Sequence, residues 1–500
     1  MQPGDHPSLA LLTGAQMRAA EQAAFARGLP SFEAMRRAGV AVADAIIARW
    51  PVASVGGVHV LCGPGNNGGD GFITAATLHA AGYRVTVHAL RRKSEYGGDA
   101  ARAAAMWHDD LLKPDIGALD ALDRSAVVVD ALFGIGLDRA LEGEAAAVIE
   151  AVNRSSATAV AVDIASGVHA DDGRIMGAAI DADLTVTFNW RKLGHVLQPG
   201  ATRCGEIVVA DVGFSAADLG AAKPACWLNQ PALWASAYPL PKATHHKYQR
   251  GHAVIAGGAV MTGAARLAAH AARRVGIGLL TLAVPPEAWP VYAADQPGAI
   301  VRRAGDLAAF AGIAGDERVT SILIGSGLEP DDTTADLVRT GAALSRPTVI
   351  DGGGLTVLAG NGQLIHGRPG IVLTPHEGEF GRLFPDLVAR RSKIERAREA
   401  AQRSGCTIVL KGSDTVIAAP DGGCILAAGA PPTLATAGTG DVLAGVITGL
   451  LGLQMAPLQA AAMGVWLHGQ AAEGFGLGLI AEDLPNRLPA ALTKALAQKG

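Results

Sequence analysis

Carboxylates, amides and a hydroxyl follow predicted strands in the first half of the chain. Asn67 and Asp70 lie in the run GPGNNGGDG, Asp130 in VDALFGIG, and Asp163 and Ser166 in VDIASGV. Because parallel strands end at one edge of a sheet, these side chains can converge although they are scattered in sequence. Their oxygens could fix a cation or a hydroxyl group, and an aspartate among them could move a proton. The competing role for either strand-end aspartate is a helix cap.

The second half contains a phosphate-binding pattern of another kind. The run TAGTGD ends at Asp441 and leads directly into an uncharged stretch with helical character. Backbone N–H groups at a helix start attract phosphate, but the helix field contributes only about 0.3–1 kcal/mol. Asp441 must therefore supply the proton chemistry, unless it is only a favourable cap. Lys411 ends the strand TIVLK and opens KGSDT, a segment whose charge and hydroxyls suit a nucleotide's phosphates or a solvated turn.

The first glycine-rich run leaves a second interpretation open. Gly63, Gly65 and Gly68 match the dinucleotide fingerprint G-x-G-x-x-G, with a helix expected from near residue 71. In a hydride-transfer enzyme the second strand would supply an acidic residue to the ribose, whereas here it ends in Arg91 and Arg92. These arginines could accommodate a 2′-phosphate, so an NADP oxidoreductase remains an alternative. That alternative does not explain the amides and the carboxylate inside the run.

Elements that could position these residues alternate along both halves. A capping box at Thr13–Gln16 should precede helices at 17–26 and 32–50. Apolar β-branched runs separated by helical stretches predict parallel sheets, and therefore two α/β domains, the first Rossmann-like with three αβα layers. Prolines in the intervening stretch predict a linker at 217–241 between domains at 1–216 and 242–500. The predicted strands are 58–62, 84–90, 126–129, 159–162, 184–188 and 207–210, then 253–255, 279–284, 321–324, 348–350, 371–373, 407–410 and 415–418.

Composition excludes several classes of function. The net charge of -4 argues against binding to nucleic acid or to an anionic membrane, so a small-molecule substrate is expected. The 5 cysteines form no CxxC pair and the N-terminus shows no secretory signal, which favours a cytoplasmic protein with reduced thiols. Residues 442–472 carry no charge, yet glycines and Pro457 interrupt them. Two buried helices meeting near Pro457 are therefore expected instead of a membrane span.

Together, GPGNNGGDG, VDALFGIG and VDIASGV resemble the NAD(P)H-hydrate epimerase family over about residues 11–214. The resemblance implies interconversion of R and S hydrates, with Asp163 as proton acceptor and donor. It also implies potassium held by Asn67, Asp130 and Ser166, which agrees with the preference of hard cations for oxygen. The implied substrate-binding residues are Asn66, Asn67, Gly68, Gly69, Asp70, Gly134, Ile135, Gly136, Leu137, Asp138, Arg139, Ala140 and Asp163.

The motifs AGG, MTGA, IGSG, TPHEGEF, KGSDT and TAGTGD resemble the ADP/ATP-dependent NAD(P)H-hydrate dehydratase family, a branch of the ribokinase-like superfamily, over about residues 242–492. The resemblance implies a ribokinase-like α/β domain, Mg²⁺ accompanying ADP or ATP, and Asp441 as the base. Departures from the family pattern are Gly353, Glu329 and Glu377. The implied nucleotide-binding residues are Lys411, Gly412, Ser413, Asp414, Thr415 and Gly440, and those facing the hydrate are Ala264, Gly327, His376 and Asp441.

Three functional hypotheses follow. In the first, one chain epimerises NADH and NADPH hydrates and dehydrates the S form at the expense of ADP or ATP. In the second, the second domain is a small-molecule kinase with a regulatory first domain. In the third, the first domain is a nucleotide sensor without activity, although Asp163 beside a cation site argues against that. We expect a homo-oligomer, because a helical pair at the N-terminus allows a dimer.

Overall fold

The computed structural model describes residues 6–295, 297–366, 368 and 370–497. It divides the chain into two compact units, Pro7–Ala225 and a second unit containing Cys226–Gly500. The division falls inside the stretch expected to be a linker, residues 217–241, and that stretch is not a separate linker. Residues 217–222 of this stretch belong to a helix, Ala216–Ala222. Ser215 caps that helix, and Asp218 within it forms an ion pair with Arg27. A strand of the second unit follows at Cys226–Leu228.

The first unit alternates strands and helices. Its strands are β1 (Ala10–Leu12), β2 (Gly57–Cys62), β3 (Val85–Ala89), β4 (Ala126–Ala131), β5 (Thr158–Val162), β6 (Leu184–Phe188), β7 (Arg191–Lys192) and β8 (Glu206–Ala210). Its helices are α1 (Gly14–Ala26), α2 (Ser31–Arg49), α3 (Asn66–Ala80), α4 (Gly98–Ala105), α5 (Ile116–Asp120), α6 (Gly143–Arg154), α7 (Gly200–Arg203) and α8 (Ala216–Ala222).

Six of these strands form a parallel sheet in the order β3-β2-β4-β5-β6-β8. Residues of α2, α3 and α4 pack on one face of the sheet, and residues of α5 and α6 pack on the other. This arrangement confirms the Rossmann-like three-layer fold. The strand order reverses direction between β2 and β4, which is where open α/β sheets bind ligands. The expected capping box is present, with Thr13 accepting from Gln16 N at the start of α1.

The second unit is also α/β. Its strands are β9 (Cys226–Leu228), β10 (His252–Ala256), β11 (Leu279–Val284), β12 (Ile300–Arg303), β13 (Ser321–Ile324), β14 (Thr348–Ile350), β15 (Ile371–Leu373), β16 (Thr407–Leu410), β17 (Thr415–Ala418) and β18 (Cys424–Ala427). Its helices are α9 (Thr262–Arg274), α10 (Trp289–Asp295), α11 (Leu307–Ala314), α12 (Asp332–Ala343), α13 (Gly352–Leu358), α14 (Glu377–Leu383), α15 (Lys393–Ser404), α16 (Thr439–Gly452), α17 (Pro457–Glu473) and α18 (Leu484–Ala497).

The sheet of the second unit runs β12-β11-β10-β13-β14-β15-β16-β17-β18-β9. Pairing is parallel from β12 to β16 and antiparallel at β17, which pairs with β16 and β18 on either side. Strand ends of β10, β13, β14, β15 and β16 therefore share one edge. The mixed sheet confirms the expected α/β class.

The uncharged stretch after Asp441 forms two helices, α16 and α17, and α17 begins at Pro457 as expected. In the part of the chain that the structure describes, no helix is long and apolar enough to cross a membrane. Helix α16 packs tightly on α9: a Cβ atom at Gly445 would lie 2.2 Å from the Ala268 carbonyl oxygen. Glycine is needed there because the backbones of the two helices approach so closely.

We expect Gly445→Ala to lower the free energy of unfolding by about 1–3 kcal/mol, because overpacking outweighs the better helix propensity of alanine. Gly312→Ala in α11 is the matched control, since a Cβ atom there meets nothing within 4 Å. That control should be neutral or stabilising by up to about 1 kcal/mol. Urea unfolding with hydrogen exchange of peptides from α16 and α11 measures both. Equal stability of the two variants would contradict the close helix contact.

Candidate active sites

The glycine-rich run of the first unit is mostly helix. Helix α3 begins at Asn66, so the segment from Asn66 to Asp70 forms its first turns, and the helix does not wait until residue 71. A Cβ atom at Gly63 would lie 1.7 Å from the Leu132 carbonyl oxygen, and one at Gly68 would lie 2.0 Å from the Gly63 carbonyl oxygen. Close backbone approach, not positive φ, therefore requires these glycines.

Asp130 and Ser166 form one buried hydrogen-bonded pair. The Ser166 hydroxyl donates to Asp130 Oδ1 at 2.6 Å and the Ser166 N–H to Oδ2 at 2.7 Å, while Leu132 N donates to Oδ1 at 3.2 Å. Burial raises the pKa of Asp130 to about 6, although the bonds from Ser166 and Leu132 oppose the rise. Phe133 N donates to the Ser166 hydroxyl at 2.8 Å. The loop after β4 thus fixes both side chains.

Asp163 follows β5 and adopts a left-handed backbone, with φ of 66°. Its Oδ1 accepts a hydrogen bond from Lys192 Nζ and another from Thr187 Oγ1 at 3.2 Å. Lys192 Nζ also donates to Thr187 Oγ1 at 2.8 Å, and its side chain is fully buried. A single non-glycine residue held in this backbone region is a sign of a functional site.

His195 fixes the backbone of Asp163. Lys192 N donates to His195 Nδ1 at 2.9 Å, so Nε2 carries the hydrogen and donates to the Asp163 carbonyl oxygen, also at 2.9 Å. Burial lowers the pKa of His195 to about 3, which keeps the ring neutral. Sequence patterns did not indicate Lys192, Thr187 or His195 at this site, because only the pairing of β6 with β5, followed by β7 and the turn after it, brings them to Asp163.

Asp163 lines a cavity of about 1060 Å³, whereas Asp130, Ser166, Thr187, Lys192 and His195 lie behind its wall. A Cβ atom at Gly134 would lie 3.0 Å from Asn67 Oδ1 and 3.4 Å from Asp163 Oδ2, so the loop after β4 lies against both side chains. Gly68 and Gly69 are buried and do not line the cavity. The expected binding residues that do line it are Asn66, Asn67, Asp70, Gly134, Ile135, Gly136, Leu137, Asp138, Arg139, Ala140 and Asp163.

In the second unit a partly buried lysine lies at a strand end. Lys411, directly after β16, donates from Nζ to Asp351 Oδ1 at 3.0 Å, and Thr374 Oγ1 donates to the same oxygen at 2.7 Å. Burial disfavours the ammonium, but the charges of Asp351 and Glu379 outweigh it and raise the pKa of Lys411. The ends of β14, β15 and β16 supply this network.

Asp441 lies in the first turn of α16, after Gly438 with φ of 87°. Burial and the charge of Asp351 raise the pKa of Asp441 to about 6, while the Ser326 hydroxyl and Lys411 oppose the rise. A partly buried carboxylate with a pKa near neutrality suits proton transfer better than simple capping. The start of α16 also presents free N–H groups to an anion.

Most residues expected to bind the nucleotide lie together. A Cβ atom at Gly440 would lie 3.6 Å from Lys411 Nζ. Asp414 lies outside the cavity wall, where it accepts from Lys393 Nζ at 2.7 Å. A cavity of about 570 Å³ is lined by Lys411, Gly412, Ser413, Thr415 and Gly440, together with Asn229, Gln230, Trp466 and His468, which the sequence did not suggest.

The residues expected to face the hydrate do not all have the role that was predicted for them. Gly327 and Ala264 meet, since a Cβ atom at Gly327 would lie 3.0 Å from the Ala264 Cβ atom. His376 caps α14, where its Nδ1 accepts from Gly378 N at 3.0 Å and its ring stays exposed. Its structural role is therefore a helix cap, not a buried polar contact.

The structure explains two of the three departures from the family pattern, Gly353 and Glu377, and does not explain Glu329. A Cβ atom at Gly353 would lie 2.1 Å from the Leu328 carbonyl oxygen, so this backbone admits no aspartate there. Glu377 makes an ion pair with Arg396, with nitrogen–oxygen distances of 2.9 and 3.1 Å. Glu329 is exposed, and nothing in the structure explains its substitution for glycine.

We expect Lys192→Met to lower the free energy of unfolding by about 3–5 kcal/mol, because Asp163 would lose its buried counter-ion. Adding Asp163→Asn to that variant should restore part of the loss. Arg203→Met is the control, because the Arg203–Asp181 pair is exposed and should contribute about 1 kcal/mol or less. Urea unfolding with hydrogen exchange in β5 and β6 measures the three variants. Similar losses for Lys192→Met and Arg203→Met would contradict the prediction.

Two family models match the chain. The model described as YjeF-related protein N-terminus matches residues 31–194, and the model described as NAD(P)H-hydrate dehydratase matches residues 252–494. Among solved structures, an ADP/ATP-dependent NAD(P)H-hydrate dehydratase from Bacillus subtilis, co-crystallised with ATP/Mg²⁺, is 32% identical with a TM-score of 0.46. It corresponds to 54% of this chain and 98% of that chain.

Curated relatives match over nearly the whole length. The bifunctional NAD(P)H-hydrate repair enzyme Nnr of Coxiella burnetii is 34% identical, over 94% of this chain and 96% of the relative. The enzyme of the same name from Moorella thermoacetica is 36% identical, over 93% of this chain and 92% of the relative. Both halves of the chain are included in these matches. The chain therefore belongs to the family of bifunctional NAD(P)H-hydrate repair enzymes.

Proposed function

We propose that this chain epimerises the R and S hydrates of NADH and NADPH in its first unit and dehydrates the S hydrate in its second, using ADP or ATP. The observation that carries the proposal is one carboxylate in each unit. Asp163 follows β5, is bonded to Lys192 and lines the first cavity. Asp441 lies in the first turn of α16 and interacts electrostatically with Lys411, which lines the second cavity. Membership of the family supports both activities. The cytoplasmic location and the homo-oligomer stay predictions.

In the first unit, Asp163 would act as the proton acceptor and donor while the configuration of the hydrated ring carbon is inverted. Lys192 and Thr187 hold its Oδ1, which leaves Oδ2 directed toward Gly134 and the cavity. The neutral His195 keeps the carbonyl of Asp163 in place and so fixes the direction of the carboxylate. The loop at 134–140 and the first turns of α3 would bind the dinucleotide.

Potassium would be held by Asn67, Asp130 and Ser166. Their oxygens suit a hard monovalent cation, and the Asn67 Nδ2 atom is buried without a hydrogen-bond partner among the described residues. An orphaned N–H donor is costly unless an acceptor lies beside it, so this nitrogen calls for an oxygen of the substrate, while the amide oxygen stays available to the cation. The cation would supply positive charge near the substrate, while the chain's own residues bind, orient and transfer the proton.

In the second unit, Lys411 and the start of α16 would hold the phosphates of ADP or ATP. Asp441 would remove the proton of the ring hydroxyl as that oxygen attacks the terminal phosphoryl group, and loss of phosphate would restore the nicotinamide. We infer that Mg²⁺ enters with the nucleotide. Among the described residues no group of three His, Cys, Asp or Glu side chains could hold a metal ion, so phosphate oxygens would supply most of its ligands.

A kinase with a regulatory domain is the alternative. A kinase would release a stable phosphorylated product, whereas a dehydratase releases phosphate and NADPH together. The relatives are repair enzymes by name, which favours the dehydratase. Stoichiometric phosphate and NADPH from S-NADPH hydrate would exclude the kinase.

We expect Asp163→Asn to lower epimerisation by about 100-fold or more while dehydration of pure S hydrate continues, because an amide cannot accept the proton. Asp441→Asn should have the opposite effect by a similar factor. Each variant is therefore the control for the other. The rates are measured as recovery of NADPH absorbance from separated R and S hydrates with ADP or ATP. Near-normal turnover by either variant in its own reaction would refute that assignment.

We expect KCl to raise the Tm of the first unit relative to choline chloride at equal ionic strength, because a cation that binds only the folded state stabilises it. In Asn67→Ala the difference between the two salts should shrink and the KCl concentration needed for half-maximal epimerisation should rise. The dehydration rate with S hydrate serves as the control for general salt effects. An Asn67→Ala protein with the wild-type response to KCl would contradict the ligand set.

A further inference from the structure

Glu21 lies in the first cavity without a role in the assignments above. It projects from α1, is partly buried, and lines the same cavity as Asp163. Within residues 7–225 its carboxyl group has neither a hydrogen bond nor an ion pair. A carboxyl group of this kind, partnerless and facing a ligand cavity, is available for chemistry.

Charge in this cavity is unevenly distributed. The groups that act on Glu21 are Arg18 on its own helix, Asp163 after β5, Lys192 on β7 and Asp70 on α3. Lys192 is already bonded to Asp163 and Thr187, and Arg18 is exposed to solvent. The carboxyl groups of Glu21, Asp70 and Asp163 thus lie near a single buried ammonium group. That ammonium, on Lys192, is already bonded to Asp163.

The pKa values of the other two carboxyl groups are raised. Burial and the charge of Asp163 raise the pKa of Glu21 to about 7. Burial, with the charges of Asp163 and Glu21, raises the pKa of Asp70 well above its usual range. An acid and a base can be two carboxyl groups of one site in different environments, and the raised pKa of Glu21 suits the role of the acid.

We propose that Glu21 is the second acid–base catalyst of the epimerase site, donating a proton to the hydroxyl of the hydrate while Asp163 accepts one from water. The inference rests on the proposed function of Asp163. It adds a partner of opposite protonation state, supplied by the N-terminal helix of the unit.

The hydroxyl of the hydrate is on the ring carbon bonded to the ring nitrogen. Glu21 gives its proton to that hydroxyl, and the C–O bond breaks with its electron pair leaving on water. The nitrogen lone pair forms a C=N bond to the carbon. Water then attacks the other face, the C=N pair returns to nitrogen, and Asp163 takes the surplus proton. Solvent resets the two carboxyl groups, and the reverse reaction uses them in exchanged roles.

Asp70 is the competing acid. Its backbone oxygen accepts from Thr74 Oγ1 at 2.9 Å, and a Cβ atom at Gly39 would lie 2.7 Å from that oxygen, so α2 covers this part of α3. Burial raises the pKa of Asp70 well above its usual range, which disfavours release of its proton, whereas the best catalytic acid has a pKa near the working pH. Glu21 fits that condition.

The test uses the full chain with purified R-NADPH hydrate and ADP or ATP. We expect Glu21→Gln to lower kcat for epimerisation by about 100-fold with little change in KM, because glutamine binds but donates no proton. Dehydration of S hydrate should stay at the wild-type rate, which shows that the second unit is intact, and an unchanged Tm of the first unit should show that Glu21→Gln is folded there. Glu21→Asp should recover part of the rate.

The pH profile separates catalysis from a structural role. A general acid works in its protonated form, so the wild-type epimerisation rate should fall as pH rises through about 7. Glu21→Gln should lack that fall. In ¹⁸O-labelled water without ADP or ATP, each wild-type epimerisation should place solvent oxygen on the ring carbon of the hydrate.

Several results would overturn the proposal. They are near-normal kcat in Glu21→Gln, an unlabelled product in ¹⁸O water, or loss of the pH-dependent fall in Asp70→Asn instead of Glu21→Gln. Active Asp163→Asn would instead refute the proposed function of Asp163. Loss of activity in Asp163→Asn with normal Glu21→Gln would refute only the present inference.

Discussion

Parallel pairing of the strands brings their carboxyl ends to one edge of each sheet, and both sites depend on that constraint. In the first unit the ends of β4 and β5 carry Asp130 and Asp163. In the second, the ends of β14 and β16 carry Asp351 and Lys411. Groups gathered in this way are partly removed from water, so each charge needs a neighbour that compensates for its lost hydration.

Much of the fold could be predicted from apolar periodicity, because long buried strands have a clear pattern. Strands such as Leu184–Phe188 and Leu279–Val284 have the predicted bounds. The missed strands are short or atypical: Arg191–Lys192 has two residues, and Ile300–Arg303 is mostly exposed with two arginines. The expected linker was wrong because prolines interrupt helices without preventing short strands, as at Cys226–Leu228.

The sites were predictable only in part. Motif residues such as Asn67, Asp163 and Lys411 lie at cavity walls because they follow strands. Lys192 gave no such signal, since it lies in the shortest strand and reaches Asp163 from 29 residues away. Glu21 could not be identified from the sequence either, because a single carboxylate on an amphipathic helix is usually a solvent-exposed residue. Only the packed structure shows which charges share a cavity.

The two units use a lysine differently. In the first, Lys192 contacts the proposed base Asp163 directly, and the raised pKa values belong to the nearby carboxyl groups of Glu21 and Asp70. In the second, Lys411 contacts Asp351, and burial together with the charge of Asp351 raises the pKa of Asp441 to about 6. A lysine that must also bind phosphate, such as Lys411, cannot form a permanent ion pair with the catalytic base. Lys192 has no phosphate to bind in the proposed epimerase reaction, so it can remain paired with Asp163.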